Sequence, residues 1–233
     1  MRARPLVLPI LFLALATAGC GTASPPVEAE RVEPARAVAP DRPANQPRVV
    51  FLGDSLTAGL GLPEDQSYPA LIQQRIDEAG LGFTVVNAGV SGDTSAGGLR
   101  RLAWSIEGDA RVLVVALGAN DGLRGLPPAE MQRNLAAIIE RARGAGLRVI
   151  LAGMEAPPNI GPEYTAAFRR VYTDLAREHD VPLIPFLLQD VAGVASLNQA
   201  DGIHPNARGA AIMADTVWRT LGPVLTAVSR EEP

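Results

Sequence analysis

Arg48-Val49-Val50-Phe51-Leu52 is apolar at every position after the first, and Gly53-Asp54-Ser55-Leu56 follows without a break. A short run that is apolar throughout, and rich in β-branched and aromatic residues, reads as a strand covered on both faces. Gly53 permits a tight turn, which leaves Ser55 at the C-terminal end of that strand. Similar runs recur at 83–86, 111–117, 147–153 and 182–186. Helical spacing fills the intervals. Leu71, Ile72, Arg75 and Ile76 follow Pro69, which suits a first helical turn. Met131, Leu135, Ile138 and Ile139 repeat with helical period, as do Tyr164, Phe168, Val171, Tyr172 and Leu175. Ile212, Val217, Trp218 and Leu221 mark a final helix, with Asp215 toward its solvent edge. Doubly covered strands alternating with helices predict an α/β fold, a mainly parallel sheet between helix layers. In such sheets the working groups gather at the C-terminal ends of the strands.

Each strand end carries candidates. Ser55 is a candidate nucleophile, although Gly-Asp-Ser alone also suits a turn. The G-x-S-x-G pattern of the α/β-hydrolase elbow occurs nowhere in the chain. Asp201-Gly202-Ile203-His204-Pro205 precedes the last helix. A neutral imidazole suits the removal of a serine proton near neutral pH, and a carboxylate three residues away can fix its tautomer. His179, in Arg177-Glu178-His179-Asp180, reads instead as a solvated helix end. After the second run comes Asn87-Ala88-Gly89-Val90-Ser91-Gly92-Asp93-Thr94-Ser95, and after the third Gly118-Ala119-Asn120-Asp121-Gly122. Acyl transfer develops an oxyanion that needs preorganised donors. A glycine N–H, the Asn120 amide and the N–H of Ser55 are suitable, while each segment singly also reads as a turn or cap.

Composition removes other chemistries. The 233 residues are 47% hydrophobic and 4% aromatic, enough for a sizeable core. The 21 basic residues are all arginine, against 25 acidic ones. A net charge of −4 gives nucleic-acid binding no electrostatic support. Without lysine there is no P-loop lysine, Schiff base or serine–lysine dyad. Two histidines and one cysteine make neither a Cys/His zinc cluster nor an internal disulfide.

The N-terminus reads as an export signal over residues 1–19. Arg2 and Arg4 precede an apolar run at 6–18, shorter than the roughly 20 residues that span a bilayer. Thr17-Ala18-Gly19-Cys20 resembles a bacterial lipobox, with Thr17 where leucine is usual. Cys20 is then a lipidation site, the alternative being an ordinary signal with an incidental cysteine. Residues 20–47 contain Pro25, Pro26, Pro34, Pro40, Pro43 and Pro47 without hydrophobic periodicity, the composition of a flexible tether. The expected organisation is a lipid-anchored linker at 20–47, a domain at 48–228 and a tail at 229–233. That places the protein in the periplasm or cell envelope, held to a membrane by its anchor.

The strand-end motifs, taken together and in this order, resemble those of the SGNH hydrolases, or GDSL esterase/lipase family. Its four namesake residues match Ser55, Gly92, Asn120 and His204, and the aspartate of its D-x-x-H block matches Asp201. The fuller stretches at 91–95, 118–125 and 201–206 look like the bacterial branch of periplasmic thioesterases, lysophospholipases and arylesterases. Ala119 stands where that branch often has glycine. The resemblance implies a three-layer α/β/α sandwich with a five-stranded parallel sheet, and esterase chemistry without metal or cofactor. It further implies a Ser55–His204–Asp201 triad and an oxyanion hole formed by Ser55, Gly92 and Asn120. Asp54 and Asp121 read as carboxylates that structure loops. The segments 123–128, 154–162 and 191–197 are expected to border an acyl groove. The expected substrate is a small ester or a lipid: a lysophospholipid, a short acyl ester or an aryl ester, with thioester cleavage an available activity. A carbohydrate O-deacetylase and a non-catalytic lipid- or glycan-binding lipoprotein are the alternatives.

Overall fold

The computed structural model describes residues 46–231, and the run at 48–52 forms an interior strand of its sheet, β1 (Arg48–Gly53). Val49, Val50, Phe51 and Leu52 are all buried, as an apolar run covered on both faces requires. The remaining strands are β2 (Thr84–Gly89), β3 (Ala110–Ala116), β4 (Arg148–Ala152) and β5 (Leu183–Ile184). They form one five-stranded sheet in the order β2-β1-β3-β4-β5, parallel throughout. Gly53 pairs in register with both Gly89 and Ala116, so the first three strands end level with one another.

Two strands differ from the expectation. β2 runs on through Asn87, Ala88 and Gly89, and it is only half-buried because it is the sheet's edge. β5 shrinks to two residues. Pro182 and Pro185 bracket it, and neither has an N–H to give to a ladder.

The helices are α1 (Ser55–Ala58), α2 (Tyr68–Glu78), α3 (Ser95–Ser105), α4 (Ala119–Leu123), α5 (Pro128–Gly144), α6 (Pro162–Glu178) and α7 (Ala207–Glu231). They cover both sides of the sheet: α2 packs on α7, and α5 packs between α3 and α6. The buried faces of α5 and α6 are those the periodicity marks, Met131, Leu135, Ile138 and Ile139 on one, Phe168, Val171, Tyr172 and Leu175 on the other. Asp215 lies on the exposed side of α7 and pairs with Arg75 of α2. α7 continues to Glu231, whose carboxylate pairs with Arg148 at 2.7 Å.

α3 has no counterpart in the hydrophobic pattern, because Gly97 and Gly98 occupy its buried face. A Cβ on Gly98 would lie 2.2 Å from Leu117 Cδ1, so the helix backbone sits directly on the end of β3. The chain meets the sheet at Gln46 and Pro47, which accept hydrogen bonds from Thr84 at the start of β2. That is the end of the sheet away from Ser55. The expected signal segment at 1–19, Cys20 and the linker up to residue 45 lie outside the described residues. Among the described residues no helix is long and apolar enough to cross a membrane.

Candidate active site

From β1 the chain crosses to β2 on one side, while β3 lies on the other. Such a reversal opens a crevice at the C-terminal ends of the strands. Ser55 stands there as the first residue of α1. Asp54 caps that short helix, its Oδ1 accepting from the Leu56 N–H at 3.0 Å. A Cβ on Gly53 would fall 1.9 Å from Thr57 Oγ1, and one on Gly89 2.2 Å from the Ala58 nitrogen. α1 therefore rests on the ends of β1 and β2 with no room for a side chain between. Thr57 and Tyr68 share a buried hydrogen bond of 2.8 Å beneath it.

His204 reaches Ser55 from the far end of the chain. Its Nε2 lies 2.9 Å from Ser55 Oγ, and its Nδ1 lies 2.7 Å from Asp201 Oδ2. A ring that donates from Nδ1 to the carboxylate leaves the Nε2 lone pair facing the serine hydroxyl. The other Asp201 oxygen accepts from the Ile203 and His204 N–H groups at 2.9 and 3.0 Å. The bond to the imidazole, followed by these backbone bonds, pulls the Asp201 pKa down to about 2. Gln199 ties the base loop to the nucleophile's segment: its Nε2 donates to the Leu60 carbonyl at 2.7 Å and to the Pro205 carbonyl at 3.0 Å.

The other two expected residues are at the same place. Asn120 begins the α4 turn, and its Nδ2 donates to the Asp93 carbonyl at 2.9 Å. Asp54 Oδ2 lies 3.4 Å from the same nitrogen. Gly92 has a positive φ of 83°, a conformation glycine adopts without strain, and its carbonyl accepts from Arg124 at 2.8 Å. Asp121 is buried and accepts from both the N–H and the hydroxyl of Ser95, tying α4 to the start of α3. Asp54 is also buried, and desolvation raises its pKa to about 6 against the lowering effect of the Leu56 N–H and of His204.

Arg101, which no motif singles out, is the largest omission from the sequence reading. Its guanidinium donates to Asp93 Oδ2 at 2.6 Å, to the Ala88 carbonyl at 2.7 Å and to the Gly53 carbonyl at 2.8 Å. It thereby joins the ends of β1 and β2 to the loop carrying Gly92. Two of its four partners, Ser105 Oγ at 3.3 Å being the fourth, are backbone oxygens, which leave no mark in a sequence. His179 lies elsewhere, at the C-terminal end of α6, with Nε2 buried and without a partner.

The crevice opens into a cleft of about 760 Å³, within the usual range for small-molecule sites. Ser55, Gly92, Asn120 and His204, with Asp54, Ser91, Glu155 and Asn198, supply its polar groups, and Leu60, Leu123, Met154, Phe186, Leu188 and Ile203 most of its apolar wall. Each loop expected to border an acyl groove contributes: Leu123 from the first, Met154, Glu155, Ala156, Pro157 and Pro158 from the second, Ala192 and Gly193 from the third.

A parallel α/β sheet whose strand ends gather a serine, a histidine and carboxylates around an apolar cleft defines a hydrolase of the α/β class. Comparison with known proteins narrows the class. The model of the GDSL-like lipase/acylhydrolase family matches residues 51–212, and the chain belongs to that family. It is 47% identical over 178 residues to esterase TesA of Pseudomonas aeruginosa, covering 76% of this chain and 89% of that one. It is 37% identical over 185 residues to the thioesterase 1/protease 1/lysophospholipase L1 of Escherichia coli K12, covering 79% and 88%. Among solved structures, the psychrotrophic esterase EstA from Pseudoalteromonas sp., inhibited by monoethylphosphonate, superposes with a TM-score of 0.73 at 33% identity, covering 77% of this chain and 98% of that one. The protein is a carboxylic ester hydrolase, as the resemblance in the motifs implies, and its sheet is the five-stranded parallel one of that family.

Proposed function

We propose that this hydrolase cleaves esters of medium and long acyl chains, lysophospholipids among them, through a covalent acyl-enzyme on Ser55. The carrying observation is the alignment of Ser55 Oγ, the His204 ring and Asp201 Oδ2, at 2.9 and 2.7 Å, on the floor of an apolar cleft. Ser55 Oγ attacks the acyl carbonyl while His204 Nε2 takes its proton. Asp201 holds the ring and stabilises its charged form. The N–H groups of Ser55 and Gly92, with the Asn120 N–H that faces Asp54 Oδ2 at a long 3.4 Å and turns to the substrate, receive the oxyanion. His204 returns the proton to the leaving alcohol, and water releases the acyl group by the reverse steps.

The alternative of an acetyl-specific carbohydrate deacetylase draws less support. A wall of Leu60, Leu123, Met154, Phe186, Leu188 and Ile203 offers few hydrogen-bonding groups to a sugar and much surface to a hydrocarbon. Turnover of p-nitrophenyl esters from acetate to palmitate tests the choice. Rates that climb beyond butyrate support the acyl reading, and rates confined to acetate overturn it. A fluorophosphonate adduct on Ser55, seen by peptide mass and absent from Ser55→Ala, tests the acyl-enzyme. A non-catalytic binding role predicts neither adduct nor turnover. Export and anchoring rest on the sequence of residues 1–20 alone. A lipid adduct on Cys20 in membrane-fraction protein supports them, and a soluble, unmodified mature form overturns the anchor.

A further inference from the structure

Six large hydrophobic side chains are exposed among the described residues, and their distribution is uneven. Leu60, Leu123 and Ile203 line the mouth of the cleft while remaining 47–50% exposed. Val90 precedes the cleft residues Ser91 and Gly92, and Val194 follows the cleft residues Ala192 and Gly193. Only Trp104, on α3, stands apart. Five apolar side chains thus sit on four separate loops around one opening. We propose that this rim is a docking surface for a zwitterionic lipid bilayer.

The occupant follows from continuity and charge. Leu60, Leu123 and Ile203 belong both to the rim and to the cleft wall, so the apolar surface runs unbroken from the outside to Ser55. An acyl chain drawn from a bilayer along it avoids exposing its methylenes to water. Isolated side chains on loop tips suit a fluid interface, into which each inserts separately, better than a shaped protein partner. The charge on the same loops selects the lipid. Arg124 is their one cation and already donates to the Gly92 carbonyl. Against it stand Glu64, Asp65, Asp190 and Asp201, while Asp93 is paired with Arg101 of α3. A face of that sign gains nothing from an anionic surface, so attraction must come from apolar insertion. Gln46 and Pro47, the first described residues, join the sheet at its opposite end.

The test uses the chain from residue 20 onward with Cys20→Ser, so that neither the apolar run at 6–18 nor an attached lipid contributes, and Ser55→Ala, so that no lipid is consumed. Its co-sedimentation with phosphatidylcholine vesicles is compared with that of the same protein also carrying Val90→Asp and Val194→Asp. Neither valine lines the cleft. The proposal expects the added pair to lower partitioning at least tenfold, and expects the parent's binding to persist in high salt. Equal sedimentation of the two proteins overturns it. So does binding that appears only with anionic vesicles and vanishes with salt. With Ser55 and Cys20 restored, the Val90→Asp/Val194→Asp variant keeps its rate on soluble p-nitrophenyl acetate. A loss there matching the loss of sedimentation makes the valines part of the catalytic fold and also overturns the proposal. The rim proposal builds on the acyl-ester reading, but the two fail separately: vesicle binding without ester turnover would end the esterase mechanism and leave the docking surface standing.

Discussion

Ser55 and His204 meet at 2.9 Å, yet the segments that carry them are held in opposite ways. The nucleophile side is built from long-range, buried contacts. Asp54 is 1% exposed, Thr57 bonds to Tyr68, and Arg101 joins two strand ends to the Gly92 loop. The base side is more local and more open, with Gln199 bonding it to the distant Leu60 carbonyl. Asp201, Ile203 and His204 satisfy one another within four residues, and the Asp201 side chain is 45% exposed. The two carboxylates beside the reacting pair record the difference. Burial lifts Asp54 to about 6, while hydrogen bonding lowers Asp201 to about 2. The sheet fixes where Ser55 stands, and a short loop then brings His204 to it.

The largest effect belongs to the point where the two sides meet. Ser55→Ala should lower kcat by about 10⁶-fold, as loss of a serine nucleophile does elsewhere, with an unchanged melting temperature. On the open side, Asp201→Asn should cost roughly 10⁴-fold in kcat by releasing the imidazole's tautomer. Its melting temperature should fall by no more than about 2–4 °C, a shift worth about 1 kcal/mol for a domain of this size. A larger drop measured by calorimetry would break the comparison, because it would make the base loop a structural element of the domain.

Arg101→Gln probes the buried side. It should slow kcat by roughly ten- to a hundredfold through displacement of the Gly92 loop, leave KM nearly unchanged, and lower stability by about 2 kcal/mol. Steady-state kinetics and urea unfolding together read both effects. Loss of stability with full kcat would show that the clamp serves only the fold.

Asp54→Asn should change kcat by less than about tenfold and act chiefly on the pH dependence of stability. The folded protein holds the Asp54 proton up to about pH 6, whereas an ordinary carboxyl releases it near 3.8. Between those values the native state binds more protons than the unfolded one, so stability falls as pH rises. The shift corresponds to about 3 kcal/mol, fully present below pH 3.8 and lost above 6. Asp201 contributes with the opposite sign: its effect is present above pH 3.8 and disappears as pH falls toward 2. Unfolding curves from pH 3 to 8 should flatten between 4 and 6 in Asp54→Asn, and an unaltered slope would remove Asp54 as the source.

How far the sequence could be read follows the same division. The contact of Asp201 with His204 was legible, because the two lie three residues apart in one loop. The five strands were legible as apolar runs, and Ser55 as the residue after one of them. What escaped depended on distance. α3 hides because its buried face is Gly97 and Gly98, whose value lies in the absent side chains that admit Leu117. Arg101 hides because it serves carbonyls at positions 53 and 88. The brevity of β5 depends on Pro182 and Pro185 lying beside a strand that only the fold brings there.

The close seat of α1 also bears on how such an enzyme can diversify. Gly53 and Gly89 tolerate no side chain, so one wall of the crevice is closed to variation by substitution. Leu123, Glu155, Pro157, Pro158 and Ile203 stand on loops at the cleft's open margin. A mutagenesis library aimed at new substrates has its useful freedom there. Lineages sharing this scaffold should diverge at those positions long before the residues under the nucleophile change.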